Sequence, residues 1–508
     1  MLKRSAVAIV YGTIAILCHS VIADERPNVL FIAVDDLNDW IGCLGGHSQA
    51  HTPNMDRLAA RGVLFTNAHC AAPACNPSRA AVFSGRMPSR TGVWSNRSPK
   101  LLKLHPTMQL LPTAFAKSGY LTLGTGKLLD SGSANRSLFA EHLVTDQRWS
   151  PFARDEVRYT DEEVSSKATD NPRHVVKNRR RGSVILPLNR MPSDRKPETT
   201  DGESFDWGPV DVPESDMGDT IITDWAVQRL KDRDDIPFFL GVGYYRPHIP
   251  LFAPSRYFDR FARSPAELPA VRQDDLDDLS ATARHWAIEP VTAGRHSTVV
   301  EHKQWRGAVE AYLACTTFVD HQVGRLMDAL DQTSIGDNTI IVLWSDHGWH
   351  LGEKQHWGKW TGWERSTRVP LIIVPPKKLV DQFAPPGSRC DVPVSLIDLF
   401  PTLTEMCDVS RPDGLDGESL VPLLREPDSA PDRRAVTTFG PGNVSLRTDW
   451  YRYLRYSDGS EELYDHKSDP HEWQNLAANA TFRSLLERLR GLIPPEWSSE
   501  PSPPVGSP

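Results

Sequence analysis

The sequence predicts an α/β fold built on a mainly parallel sheet, followed by a smaller C-terminal α+β subdomain with an antiparallel sheet. Three observations carry this expectation. Short unbroken apolar runs rich in strand formers recur through the first 400 residues, segments with helical periodicity separate them, and after residue 400 the runs shorten and hairpin signals appear. This divides the chain into a main domain over 24–400, a subdomain over 401–493 and a tail over 494–508.

The first run, Val29 to Val34, is apolar at every position. That pattern suits a strand covered on both faces, as in a parallel sheet. The runs from Pro237 to Val242, Thr339 to Trp344 and Val369 to Val374 repeat it. Between them, Thr52-Pro53 opens a helix with an N-cap Thr and Pro at its first position, and Gly62 reads as its end. Asp219 to Asp232 places Ile222, Trp225, Ala226 and Leu230 at helical spacing, and Glu301 to Asp331 does so with Val319, Val323, Leu326 and Leu330. Strands alternating with helices specify the α/β class. In such folds ligands bind beyond the carboxyl ends of the strands, where Asp35, Asp36, Asp346 and His347 would project. Residues 145–215 are polar and rich in Arg and Pro, with Arg179-Arg180-Arg181 inside, and read as a structureless insertion near the mouth of the site. In the subdomain, Val444 to Arg447, Tyr451 to Tyr456 and Glu462 to Tyr464 are strand-like, and Asp458-Gly459 is a hairpin turn signal. Phe482, Leu485, Leu486, Leu489 and Leu492 make one helix face. The Pro/Ser-rich tail from Pro494 is expected to be disordered.

With 39% hydrophobic and 24% charged residues, the 508-residue chain has ordinary globular composition. A net charge of −8 without a basic stripe argues against a nucleic-acid partner. Lys3 and Arg4, the apolar run Ala6 to Leu17, and Val21-Ile22-Ala23 before Asp24 read as a secretory signal over residues 1–23. The run is short for a membrane span of about 20 residues. The chain is therefore expected to be exported, to a periplasmic, extracellular or lysosome-like compartment, without a stable membrane anchor. Of the seven cysteines, Cys18 leaves with the signal. Excluding Cys75, five remain, so at least one is a free thiol, and Cys390 with Cys407 is one pairing that export would permit.

Pairs of metal-ligating residue types at two strand ends, Asp35-Asp36 and Asp346-His347, together suggest a hard-cation site. The stretch Cys75-Asn76-Pro77-Ser78-Arg79 lies between them in sequence. Cys-x-Pro-Ser-Arg resembles the signature of type I sulfatases. The resemblance continues through Arg26-Pro27-Asn28-Val29-Leu30, Val34-Asp35-Asp36-Leu37, Gly126-Lys127, Val242 to Pro250, Ser345 to Glu353 and Trp357-Gly358-Lys359. Pro247-His248-Ile249-Pro250 and the Gly348-Trp349 pair make it most similar to the iduronate-2-sulfatase type.

The resemblance implies an alkaline-phosphatase-like fold and a sulfuric ester hydrolase acting on a sulfated saccharide. It implies that a maturase oxidises Cys75 to formylglycine, whose hydrated aldehyde attacks sulfur with one hydroxyl and expels sulfate with the other. Asp35, Asp36, Asp346, His347 and the modified Cys75 would hold a metal, usually Ca²⁺, with Mg²⁺ as the other choice. Arg79 would orient the diol. Lys127, His248 and Lys359 would contact the sulfate, with His248 or Lys359 as general acid. Of the neighbouring residues, His350 and His356 read as structural or solvated, and Trp349 as either core or a sugar platform.

The sequence departs from the pattern at Asp130, where such sulfatases usually carry a histidine. Its unperturbed pKa near 3.9 makes it a weak base. Either Asp130 substitutes for the histidine, or another histidine such as His174 does, or turnover is slow. Two other functions stay open: hydrolysis of phosphate or phosphonate esters, since the resemblance implies a superfamily that shares the fold and metal site, and weakly active binding of sulfated glycans, which Asp130 suggests.

Overall fold

The computed structural model describes residues 26–498, except 131–136, 146, 148–150, most of 153–204, 233–235, 290–293 and 430. The signal segment, His174, Arg179-Arg180-Arg181 and the tail from 499 lie outside the described residues.

Eight strands form the main sheet: β1 (Asn28–Val34), β2 (Val63–Phe65), β3 (Leu121–Gly126), β4 (Glu141–Leu143), β5 (Phe238–Tyr244), β6 (Thr339–Ser345), β7 (Leu371–Val374) and β8 (Ser388–Cys390). Their spatial order is β8-β2-β7-β6-β1-β5-β3-β4. Strand β1 lies inside the sheet, parallel to β5 on one side and β6 on the other. Strand β7 runs antiparallel to both neighbours, a direction its apolar run does not encode. The sheet is thus mixed but mainly parallel, as expected.

Alternate residues of β1 enter two separate cores. Val29, Phe31 and Ala33 pack with Phe239, Val342 and Trp344 under the helices α2 (Cys75–Ser84) and α3 (Leu111–Lys117). Leu30, Ile32 and Val34 face the other way, toward α1 (Pro53–Ala59), α4 (Gly218–Lys231) and α5 (Trp305–Asp331). An uninterrupted apolar run is what a strand sandwiched between helices requires.

Several boundaries differ from the sequence reading. Helix α1 ends before Gly62, whose missing side chain admits the Ile373 carbonyl; a Cβ there would sit 2.3 Å from that oxygen. Lys303, at φ +56°, separates α5 from a short preceding helix, His296–Glu301. The 145–215 segment is not structureless. Val157–Arg158, Val175–Asn178 and Gly182–Ile185 form a small antiparallel sheet, and Trp207–Val210 pairs in parallel with Leu251–Pro254, directly after the His248 loop. Cys390 and Cys407 are separate free thiols: Cys390 ends an edge strand beside Phe65, whereas the Cys407 sulfur lies 3.8 Å from the Pro27 carbonyl.

The subdomain is a four-stranded antiparallel sheet in chain order: β9 (Ala435–Thr438), β10 (Val444–Arg447), β11 (Tyr451–Arg455) and β12 (Glu461–Asp465). Gly459 makes the turn before β12 at φ +85°. Helix α6 (Arg483–Gly491) covers one face through Leu486 and Leu489. The tail is ordered further than expected, because Pro495–Ser498 forms a helical turn and Trp497 joins the same apolar cluster. No helix among the described residues is long and apolar enough to cross a membrane.

Gly126 ends β3 at φ +70°, and a Cβ on it would lie 2.0 Å from the Gly243 carbonyl. Backbone strain of this kind is worth roughly 1–3 kcal/mol. Gly126→Ala is expected to lower stability by at least about 2 kcal/mol in denaturant unfolding and to reduce activity by displacing Lys127.

Candidate active site

The sequence-predicted residues converge at the carboxyl ends of four neighbouring strands. Asp35 and Asp36 follow β1, Asp346 and His347 follow β6, Lys127 follows β3, and His248 lies in the loop after β5. Cys75 opens α2, whose N-terminal backbone amides and dipole favour an anion there. Lys359 enters from the loop after Trp357–Gly358. These eight side chains and that of Arg79 are buried.

Lys359 Nζ lies 2.6 Å from Asp36 Oδ1 and 3.0 Å from Cys75 Sγ. His347 Nε2 lies 3.5 Å from the same sulfur, 3.3 Å from Asp36 Oδ1 and 3.5 Å from Asp346 Oδ2. Lys127 pairs with Asp35 Oδ2. Arg79, one turn into α2, donates to Asp346 Oδ2 at 2.8 Å and to Asp35 Oδ1 at 3.3 Å. Its remaining nitrogen donates to the carbonyls of Lys127 and Leu128.

These contacts set the charge states. Burial pushes the Asp35 carboxyl up, but Lys127, His248, Arg79 and Lys359 together hold it well below the usual carboxylate range. Burial and Asp35 push the Cys75 thiol up, yet Lys127, Lys359 and the His347 contact outweigh them and bring it down to about 5. Burial lowers His248 to about 3, so it is neutral at ordinary pH. Its Nδ1 donates to the Ile249 carbonyl.

The donor set fits a hard divalent cation. Asp35, Asp36, Cys75 and His248 form one group whose ligand atoms lie within 4.8 Å of one another, and Asp35, Cys75, Asp346 and His347 form a second. Asp36 Oδ2 is buried with no hydrogen-bond partner, an acceptor suited to a metal. Asp36 holds its position at φ +60°: its backbone amide donates to Asp346 Oδ1 at 3.1 Å, and its carbonyl accepts from the Tyr312 hydroxyl at 2.8 Å.

Other supporting residues escaped the sequence reading. Ser78 Oγ donates to the Asp346 carbonyl at 2.5 Å, from inside the motif but previously without a role. Buried Asp219 accepts from the amides of Tyr245 and Arg246, each at 3.0 Å, and Arg246 donates to the His248 carbonyl at 2.8 Å. His356 Nε2 lies 2.8 Å from the Lys359 carbonyl and His350 Nε2 lies 3.1 Å from Thr361 Oγ1, so both histidines brace the lysine loop. Trp349 is core, with Lys359 Nζ 5.5 Å from its ring centroid. Asp130 is buried beside the cluster. Its Oδ2 pairs with Lys100, and its Oδ1 lies 3.9 Å from Lys127 Nζ. Nothing in the chain's local patterning linked Lys100 to Asp130, 30 residues away.

Comparison with known proteins gives the family. The family model described as Sulfatase matches residues 27–409, and that described as N-sulphoglucosamine sulphohydrolase, C-terminal, matches 352–494. A sulfatase of Formosa agariphila is 35% identical, with 94% of this chain and 88% of the relative covered. The iduronate 2-sulfatase of Homo sapiens is 28% identical over 85% of this chain and 80% of its own length. The structure of a phosphonate monoester hydrolase from Silicibacter pomeroyi shares the fold, with a TM-score of 0.70 at 24% identity, covering 92% of this chain and 94% of that one. Sulfatases of this family work with a formylglycine and a divalent metal. The extent of the family match and the 35% identical relative establish that this chain belongs to the sulfatase family, as a type I sulfatase that hydrolyses sulfuric esters.

Proposed function

We propose that the protein is an exported sulfatase that removes sulfate from a sulfated saccharide, using a formylglycine made from Cys75 and a hard divalent cation, Ca²⁺ before Mg²⁺. The observation that carries the reading is the setting of Cys75 Sγ, at a helix N-terminus, 3.0 Å from Lys359 and 3.5 Å from His347. In the mature enzyme a hydroxyl oxygen of hydrated formylglycine takes the place of that sulfur. A maturase partner supplies the oxidation.

Asp35, Asp36, Asp346 and His347 would hold the cation, which when bound supplies positive charge for the nucleophile and the sulfate oxygens. Arg79 orients Cys75 by fixing the carboxylates around it. Lys127, His248 and Lys359 receive the sulfate, whose oxygens gain charge in the transition state; buried, fixed cations stabilise that charge efficiently. The diol hydroxyl attacks sulfur, the ester S–O bond breaks, and the leaving sugar oxygen takes a proton. Lys359 is the favoured donor, because His248 is neutral in its resting surroundings. An alkoxide is basic enough to take a proton from an ammonium. The second hydroxyl would then pass its proton to a base, the role left open at Asp130; the C–O bond to sulfate would break as the aldehyde re-forms, sulfate would depart, and water would rehydrate the aldehyde.

The iduronate-2-sulfatase-like reading rests on the His248 loop and on the 28% identical relative, and it makes 2-O-sulfated uronic acids the first saccharides to test. Phosphate or phosphonate ester hydrolysis is the second reading. The fold is shared with a phosphonate monoester hydrolase, so substrate assays must separate the two.

After co-expression with an active maturase, mass spectrometry of the Cys75 peptide should show conversion to formylglycine. In a desulfation screen over defined saccharides, run beside phosphate and phosphonate esters, turnover should be highest on a sulfated sugar. Cys75→Ala should remove it while the protein stays folded. Faster phosphonate than sulfate turnover would favour the second reading.

Stripping divalent ions with a chelator should reduce turnover at least about 100-fold and lower the thermal midpoint by a few degrees. A ligand held at 100 times its Kd contributes about 2.7 kcal/mol. The stripped protein should remain folded, because Lys127, Lys359 and Arg79 already face the three carboxylates. Asp36→Asn should weaken ion affinity in direct titration. No bound metal by elemental analysis, together with chelator-insensitive turnover, would sink the assignment.

A further inference from the structure

Lys359 sits in a stretch of backbone that does not hold itself. Gly352, Lys354, Gln355, Gly358 and Trp360 all have positive φ, and Lys359 lies between the last two, Gly358 at +105° and Trp360 at +80°. Strain of this kind persists only where the surroundings over-determine it. The peptide unit that joins Lys359 to Trp360 is gripped at both ends. Its N–H, on Trp360, donates to the Pro73 carbonyl at 2.9 Å, two residues before Cys75. Its C=O, on Lys359, lies 2.8 Å from Nε2 of the buried His356 ring. The other ring nitrogen, Nδ1, lies 2.9 Å from the Ala287 carbonyl, in the last turn of the helix Ala281–Ile288.

A carbonyl oxygen only accepts, so a ring nitrogen must carry a proton to bond one. Burial lowers the pKa of the His356 ring, which therefore carries a single N–H at neutral pH. We propose that His356 is a positioning residue for the sulfatase reaction: its Nε2–H holds the Lys359 carbonyl and thereby keeps the Lys359 ammonium, 3.0 Å from Cys75 Sγ, set for proton transfer to the leaving oxygen. The inference rests on the reading of Lys359 as that proton donor. Without the Nε2–H, the 359–360 peptide unit is free to flip. The flip would take Trp360 out of the left-handed region into backbone conformations open to any residue. It would also turn the Trp360 N–H away from Pro73 and so detach Lys359 from the segment that carries Cys75.

Steady-state kinetics of the mature full-length enzyme on two aryl sulfates reads the effect. Phenyl sulfate releases a basic phenolate that needs a proton; 4-nitrophenyl sulfate releases a much weaker base that needs little help. The quantity compared is kcat/KM, which follows transition-state stabilisation relative to free enzyme and substrate. His356→Leu is expected to lower kcat/KM on phenyl sulfate about ten-fold or more, a part of the roughly 10²–10⁴-fold that proton transfer by a positioned side chain supplies, and on 4-nitrophenyl sulfate by at most about a third of that factor. Gln places its amide N–H near the Nε2 position and Asn near Nδ1. His356→Gln should stay within about three-fold of the parent on phenyl sulfate, whereas His356→Asn should fall with His356→Leu. Each of the two amides retains one of the ring's bonds, so their thermal midpoints should be alike, and a purely structural histidine would give them the same activity.

An equal loss on the two sulfates for His356→Leu overturns the proposal, as does a His356→Asn variant as active as His356→Gln. If His356→Leu does not fold, the comparison of Gln with Asn decides alone. Lys359→Ala separates the two levels. If its loss is no steeper on phenyl sulfate than on 4-nitrophenyl sulfate, the reading of Lys359 as proton donor fails and the inference falls with it. If its loss is steeper there while those of His356→Leu and His356→Asn are not, the inference alone fails.

Discussion

Arg79 is fully buried, and its three nitrogens reach three strand ends. Nε holds Asp346 after β6, Nη2 holds Asp35 after β1, and Nη1 holds the carbonyls of Lys127 and Leu128 after β3. The planar guanidinium fork suits such a junction, whereas a lysine would offer only a point charge. Breaking a buried pair of this kind costs about 3–5 kcal/mol, and here one side chain makes two of them. Arg79 and Cys75 are four residues apart in α2, so they share one helix face. The nucleophile position and the carboxylates are thereby fixed by a single turn of helix, and the spacing in Cys-x-Pro-Ser-Arg has a mechanical reason.

The same constraint explains the charge arrangement around Cys75. Three buried carboxylates would not be tolerated without compensation. Lys127 from a strand end, Lys359 from a loop and Arg79 from α2 provide it. Positive charge gathered for that purpose also faces the position where a sulfate would sit. Burial keeps His248 neutral among these charges. On the proposed function, Lys127 and Lys359 serve both to hold the carboxylates and to receive an anion, so a change in Asp35 or Asp36 would alter the availability of a sulfate-binding group. The Lys100–Asp130 pair belongs to this arrangement as its outermost member.

Much of this was legible in the sequence because it is local. An apolar run that ends in potential metal ligands reports a buried strand and what lies beyond its carboxyl end, and this located Asp35 and Asp36 after one run and Asp346 and His347 after another. The Cys75–Arg79 spacing is a helix repeat. What was not legible depends on contacts without periodicity. The apolar character of Leu371–Val374 encodes burial and says nothing of its antiparallel direction. The pairing of Lys100 with Asp130 and the grip of Asp219 on the His248 loop cross 30 and about 26 residues with no pattern between them. The strands within 145–215 were hidden because polar, Pro-rich composition argues against regular structure, while backbone pairing needs only a neighbouring edge.

The boundary near residue 400 separates two sheets but not two independent functions. The loop that carries Lys359 is held from the far side of that boundary. Lys354, at φ +55° and almost fully buried, places its ammonium 2.7 Å from Asp275 and against the Glu472 carbonyl. Glu364, just beyond Lys359, pairs with Arg447 at 3.3 Å and with Arg452, and Arg452 pairs with Glu472 at 2.7 Å. Trp363 donates its indole N–H to Glu462 at 2.8 Å. Apart from Asp275, these partners sit on β10, β11, β12 and the segment after β12. A left-handed lysine and a short loop have little stability of their own, so the position of Lys359 depends on the antiparallel sheet being docked. In this chain the C-terminal subdomain is the wall against which Lys359 is set.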